Sequence, residues 1–322
     1  MKAVICTRYG PPEVLQIAEI GKPSPRNNEV LVKIHATAVT IGDCRIRGFK
    51  VPLSFWIPAR IALGLRKPKK NILGSVFAGE IDAVGEDVKL FKKGDQVFGG
   101  TGHNFGAYAE YICISENACL AIKPVNLNFE EAAAIPWGGY TSLFFLRKAG
   151  IKPEQKILIY GASGSLGTSA VQLAKYFGAE ITGVCSTSNL DLVRSLGADK
   201  VIDYTLQDFS KGGEMYDIIY DTVGKCSVSA CIRSLKKNGK YIHAVATPAV
   251  SAKIKWLSIG KSIKFIGGTF IPQAENLNYL KELIEAGKLK PVIDRTYPIA
   301  QITEAHRYVD KGHKKGNVVI IV

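Results

Sequence analysis

The sequence predicts an α/β protein whose second half is a doubly wound parallel sheet of six strands and whose first third is β-rich. From Gln155 onward, short apolar runs alternate with helix-length segments, the pattern of a parallel sheet covered on both faces. A glycine-rich turn, Gly161–Gly167, joins the first of these runs to the first helix. The 322 residues, 47% hydrophobic and 22% charged, exceed one ordinary small domain and suit two.

In chain order, β-like runs at Lys2–Cys6, Glu29–Ala36, Phe77–Val84, Asp95–Phe98 and Ala107–Ile114 are punctuated by Pro, Gly and Asn. The six later strands are Lys156–Tyr160, Glu180–Ser186, Lys200–Tyr204, Tyr216–Val223, Lys240–Val245 and Ser262–Gly267, with helices between most of them. One helix runs through Ser169–Phe177. Another spans Asn189–Leu196, with Ser188 or Asn189 placed to cap its start and Gly197 to end it. An amphipathic helix, Ala274–Ala286, precedes a last strand at Asn317–Val322.

Lys and Arg number 42 against 28 Asp and Glu, a net charge of +14 that favours anionic partners: a phosphorylated cofactor, a nucleic acid or an acidic membrane. Seven cysteines, with no CxxC pair, argue against a disulfide framework and a thiolate zinc cluster. The five histidines, at 35, 103, 243, 306 and 313, stand at no ligand spacing. Gly10-Pro11-Pro12 comes too soon for a signal-peptide core, and no run of apolar residues is long enough to span a bilayer. A soluble, cytoplasmic protein is expected.

The turn reads Ala162-Ser163-Gly164-Ser165-Leu166-Gly167, a G-x-G-x-x-G pattern with its first glycine replaced. Small residues let backbone N–H groups and the positive end of the following helix approach a pyrophosphate. No Gly-Lys-Ser/Thr follows, so it is not a Walker loop. An NAD-selective site places a carboxylate at the end of the second strand to hold the ribose diol. Gly183–Asn189 occupies that place and offers no carboxylate before Asp191. The hydroxyls of Ser186 and Thr187, with Asn189, Arg194, Lys200 and Tyr204 nearby, suit a 2′-phosphate, so NADPH is expected over NADH.

The order Gly74…Gly79…Val84-Gly85, Lys93-Gly94-Asp95-Gln96-Val97, Gly161–Gly167, Asp221-Thr222-Val223-Gly224 and Gly316-Asn317-Val318-Val319 resembles the medium-chain dehydrogenase/reductase superfamily. Tyr160–Gly164, Ala133-Ala134-Ile135-Pro136 and Ala198–Tyr204 point to its zinc-free quinone oxidoreductase branch. The resemblance covers essentially the whole chain. It implies a GroES-like, partly open β-barrel catalytic domain built from residues 1–122 and 270–322, with a Rossmann domain at 123–269 between them, and a homodimer. It also implies cofactor contacts from Thr141, Thr222, Val223, Val245, Ala246, Thr269 and Phe270. Where many relatives carry a lysine near the cofactor phosphate, this chain has Asn317.

The departures from zinc-dependent relatives set the expected chemistry. The positions of the three zinc ligands are matched here by Thr40, Ser75 and Trp137, which cannot build a tetrahedral site. The structural zinc lobe is also missing, and no metal is expected. Without a Lewis acid, hydride transfer to an already electrophilic quinone or activated carbonyl is the expected reaction, with Thr40 and Asp43 in the active-site loop orienting acceptor or cofactor. The alternative is a catalytically weak NADPH-binding protein with an RNA-binding or membrane-associated role. No arginine-rich tract with interleaved aromatics supports nucleic-acid binding. A short-chain reductase is excluded because no tyrosine has a lysine four residues later.

An insertion, Leu53–Lys70, pairs an apolar segment with cations at 60, 66, 67, 69 and 70. Pro58, Gly64 and Pro68 interrupt it. The favoured expectation is a substrate lid whose apolar face packs on the barrel, with contact to an anionic membrane as the alternative.

Overall fold

The computed structural model describes residues 1–51, 56–245, 247–260, 262–268 and 272–322. The chain divides into two compact units: Met1–Trp137 with Ile271–Gly287 and Pro291–Val322, and Gly138–Phe270 with Lys288–Lys290.

In the first unit, β1 (Lys2–Cys6) and β2 (Leu15–Glu19) form an antiparallel ribbon. The other strands are β3 (Glu29–Val39), β4 (Val76–Val84), β5 (Gln96–Gly100), β6 (Tyr111–Ser115) and β7 (Cys119–Ile122), joined by β14 (Ile293–Pro298) and β15 (Asn317–Ile321) from the end of the chain. Among the described residues they form one sheet in the order β14-β15-β3-β4-β5-β7, with β6 also on β3. Among the described residues this sheet does not close on itself. β3 is the spine. Its register shifts between Leu31/Val32 and Ile34/Ala36 bend it, and Val30, Val32 and Ile34 bury against Phe77, Ile81 and Val97. The helices of this unit are α1 (Ile41–Arg47), α2 (Trp56–Leu63), α3 (Phe129–Ala133), α9 (Ala274–Glu285) and α10 (Ile302–Asp310). A reciprocal cap between Asn128 and Glu131 starts α3, which packs on β3 and β4. With α3 packed there, the first unit runs on past residue 122 to Trp137.

The second unit holds β8 (Lys156–Tyr160), β9 (Glu180–Cys185), β10 (Lys200–Asp203), β11 (Tyr216–Asp221), β12 (Leu235–His243) and β13 (Lys264–Ile266). All pair in parallel, in the order β10-β9-β8-β11-β12-β13. The order reverses between β8 and β11, and ligands of such sheets bind at the carboxyl ends beside that reversal. Ile157, Leu158 and Ile159 are fully buried, as a strand covered on both faces requires. Helices α4 (Pro136–Ala149), α5 (Ser165–Tyr176), α6 (Leu190–Ser195), α7 (Val228–Arg233) and α8 (Pro248–Leu257) connect them, α4 starting two residues before the unit's boundary. Gly197 ends α6 at φ +105°, as expected, but Asn189 makes no side-chain cap; its amide is used elsewhere.

Candidate functional site

The carboxyl edge of the six-stranded sheet gathers most of the expected cofactor residues. Gly161, at φ +82°, turns the chain out of β8, and its N–H and that of Ala162 donate to Val184 O at 3.0 Å. Gly164 precedes α5 with no side-chain cap on that helix. A Cβ at Gly164 would meet only Gly161 O, at 3.6 Å, whereas one at Gly167 would lie 2.1 Å from the same oxygen. Gly167 therefore allows helix and strand to approach, and Gly164 leaves an open cradle above the turn. That cradle beside helix N–H groups fits a pyrophosphate.

Asn189 is buried and donates to Ser163 Oγ and Ser186 Oγ, 3.1 Å each, tying the turn to the end of β9. Thr187 Oγ1 donates to Asp203 Oδ2, and Thr205 Oγ1 donates to Asp203 Oδ1 at 2.7 Å. These hydroxyls hold the Asp203 carboxyl below its ordinary range, the Thr187 bond first. Asp203 is the carboxylate that the sequence reading missed. Parallel register places it opposite Cys185, beside the end of β9. Tyr204 is half-exposed near Tyr160, with ring centroids 6.4 Å apart.

The two expected cations are both in ion pairs. Lys200 opens β10, at the opposite end of the strand, and pairs with Glu214 at 2.9 Å. Arg194 pairs with Asp191 at 2.9 Å.

Beside the turn, Thr222 Oγ1 donates to Tyr160 O at 2.8 Å, and the Val223 side chain closes on Gly161. The missed anchor is Asp221. Fully buried, it accepts from the N–H groups of Val223, Gly224 and Cys226 at 2.7–3.1 Å and so shapes the β11 loop. Val245 packs over Gly224. Thr141 is buried within α4, past its first turn, and Ser142 Oγ donates to Leu166 O at 2.9 Å. Ala246, Thr269 and Phe270 lie outside the described residues.

The first unit carries a second polar cluster. Thr40 caps α1. Its Oγ1 accepts from Asp43 N–H at 3.1 Å and donates to Asp43 Oδ2 at 2.7 Å, and Thr40 N–H donates to Oδ2 at 3.0 Å. Ser75 Oγ stands 3.3 Å from both Thr40 Oγ1 and Asp43 Oδ2. The Trp137 ring lies beside Gly42, where a Cβ would come within 3.2 Å of it. The three zinc-ligand positions therefore converge, bearing two hydroxyls and an indole. Burial pushes the Asp43 carboxyl up, and the Thr40, Tyr108 and Ser75 hydroxyls pull it part of the way back. Asp43 Oδ1 and the Tyr108 hydroxyl are buried without a partner in hydrogen-bonding geometry among the described residues, yet each bears on the other's ionisation.

Beneath α1, Arg47 Nη1 donates to His306 Nδ1 at 3.1 Å, and its Nη2 binds Asp310. Burial, and then the Arg47 charge, lower the His306 imidazole to about 3. Asn317, at the start of β15, donates its side-chain amide to Val292 O at 3.2 Å.

Residues 26–124 match the family model described as Alcohol dehydrogenase GroES-like domain, and residues 196–320 match the one described as Zinc-binding dehydrogenase. The chain is 34% identical over 334 residues to the 2-methylene-furan-3-one reductase of Solanum lycopersicum, covering 99% of this chain and 79% of that protein. It is 31% identical over 319 residues to a chloroplast envelope quinone oxidoreductase homolog of Arabidopsis thaliana, covering 95% and 93%. The crystal structure of Escherichia coli quinone oxidoreductase complexed with NADPH superposes with a TM-score of 0.86 at 26% identity over the full length of both chains. One matching model is named for zinc, but Thr40, Ser75 and Trp137 do not fit the ion. No group of three or more His, Cys, Asp or Glu side chains among the described residues is arranged to hold a metal.

Proposed function

The chain belongs to the medium-chain dehydrogenase/reductase superfamily, in its quinone-oxidoreductase-like branch, and on that premise we propose that it is a zinc-independent, NADPH-dependent reductase of quinones or α,β-unsaturated carbonyls. The observation that carries this reading is the open cradle over Gly164 at the uncapped start of α5. The relatives' names supply the acceptor class: one is a reductase of a methylene-furanone, another a quinone oxidoreductase homolog. NADPH as the cofactor is supported by the Escherichia coli relative, whose crystal structure is a complex with that nucleotide.

NADPH supplies the hydride when bound. The turn from Ala162 through Gly167 receives its pyrophosphate. Ser186, Thr187, Asn189 and Tyr204 form the end of β9 and β10 that meets the 2′-phosphate, and Thr141, Thr222, Val223, Val245, Ala246, Thr269, Phe270 and Asn317 complete the cofactor contacts. Thr40 and Asp43 orient acceptor or cofactor, and neither is assigned as an obligatory acid. Asp43 holds the Thr40 hydroxyl in one rotamer by accepting its hydrogen bond, so an acceptor oxygen is oriented by Thr40 only when that hydrogen bond is exchanged for one to the acceptor. A homodimer and a cytoplasmic location belong to the same reading, and light scattering and cell fractionation test them.

The reading is tested by titrating the protein with NADPH and NADH, then following NADPH consumption with a quinone, a 2-alkenal and a simple ketone. Preference for NADPH with turnover of the quinone or alkenal, but not the ketone, is the expected result. Failure to bind either nucleotide overturns it.

A further inference from the structure

The reductase reading leaves the insertion without a task. Its first described residues form α2, none of which is buried. Ile57 and Ile61 are each 66% exposed and Leu65 is 73% exposed, so the apolar face does not pack on the sheet as a seated lid would. Leu53, Ser54 and Phe55, which begin the insertion, lie outside the described residues.

Two local devices hold α2 with that face outward. The Arg60 guanidinium lies 3.9 Å from the Phe49 ring centre and 4.9 Å from those of Tyr9 and Trp56. Lys69 Nζ donates to Ile61 O at 2.8 Å, satisfying a carbonyl in the last turn of α2.

The charge around this face has one sign. Between residues 44 and 79 the chain has eight Lys and Arg and no Asp or Glu, against a net charge of +14 for the whole molecule. Arg47 is committed to His306 and Asp310. Arg66, Lys67 and Lys70 are exposed and enter no ion pair among the described residues. A concavity of about 790 Å³ opens here, lined by Arg60, Arg66, Lys67 and Lys69 with Ile61 and Leu65 on its apolar side.

We propose that α2 and the turn after it dock the protein on an anionic phospholipid surface. Ile57 and Ile61, one helical turn apart on the same face, enter the boundary between headgroups and acyl chains with Leu65, while Arg66, Lys67 and Lys70 meet the headgroup phosphates and carboxylates. A second copy is disfavoured as the occupant, because it would set like charges face to face. A nucleic acid offers nothing to three exposed aliphatic side chains. The contact is peripheral, since no helix among the described residues is long and apolar enough to cross a membrane.

This inference goes beyond the reductase reading and needs neither nucleotide nor acceptor. Its test is sedimentation of the full-length protein with vesicles of phosphatidylcholine, alone or with about 30% phosphatidylserine, at low and high salt. Ile61→Asp and the double variant Lys67→Glu/Lys70→Glu are compared with wild type. The expected result is binding to the anionic vesicles about tenfold tighter than to the neutral ones, weakened by salt and reduced about tenfold by either variant. Melting temperature and turnover of a water-soluble quinone should be unchanged in both. Absence of anionic-vesicle binding overturns the proposal, as does binding that Ile61→Asp leaves intact. Loss of soluble-quinone turnover in the variants with vesicle binding retained identifies a substrate lid instead. Self-association that Ile61→Asp abolishes, without vesicle binding, identifies a second copy.

Discussion

Gly164 and Gly167 lie in one turn and respond oppositely to a methyl group, which separates folding from binding at single residues. Gly164→Ala should melt within a few degrees of wild type while weakening NADPH binding at least about tenfold, because its Cβ occupies only the phosphate cradle. Gly167→Ala should lose about 1–3 kcal/mol of stability by denaturant titration, since its Cβ collides with the backbone of Gly161 and Ala162. Thr40→Val should lower kcat for the quinone by about tenfold or more and leave the NADPH dissociation constant unchanged. Thr40→Ser, which keeps the hydroxyl, should recover most of the loss. His306 supplies a pH signature. Its folded pKa, about 3, lies below the ordinary 6.5, so the unfolded chain takes up the proton first and stability falls as pH drops from 6.5 towards 3. The slope contributed is about 1.4 kcal/mol per pH unit, and urea titrations at pH 7 and 5 should show a smaller loss for His306→Gln than for wild type. At this scale the turn was legible from its glycine spacing, and Thr40, Ser75 and Trp137 through the resemblance to zinc-dependent relatives. Asp203 and Asp221 were not, because their roles arise from parallel register and from a loop folding back on its own strand.

Strand polarity decides which charges serve the cofactor edge. Lys200 and Tyr204 are close in sequence, but one opens β10 and the other follows its end, so only Tyr204 lies on the ligand side. Lys200→Ala should therefore leave the NADPH dissociation constant within about twofold of wild type by fluorescence titration. Ser186→Asp installs the carboxylate that a ribose diol takes and a 2′-phosphate rejects. It should shift the ratio of NADPH to NADH affinity by at least about tenfold towards NADH. The helix signals were legible where a glycine stop ended a periodic segment, as at Gly197. They failed at Asn189, whose Nδ2 donates to Ser163 and Ser186 while its Oδ1, the atom that would cap the helix, accepts no hydrogen bond among the described residues. α2 shows the same limit: its composition was readable, but the direction of its apolar face depends on the Arg60 cage and the Lys69 contact.

For the molecule as a whole, the alternation of apolar runs and helices was enough to anticipate six parallel strands, because central strands such as β8 are covered on both faces and read as short apolar runs. The β-rich part was less legible. β3 was expected to stop at Ala36 but continues to Val39, because β15 from the far end of the chain pairs with its last residues, and such a long-range pairing leaves no local signal. Thr40, Ser75 and Trp137 are also far apart in sequence, and the fold collects these positions, which the resemblance matches to zinc ligands. The central claim is that this collection works without a metal. Its most direct test is the kcat/KM for NADPH-dependent quinone reduction after exhaustive dialysis against a chelator, measured with and without added zinc. Equal activity in both, with no bound zinc, is the predicted result. Activity that vanishes on dialysis and returns with one equivalent of zinc would contradict it.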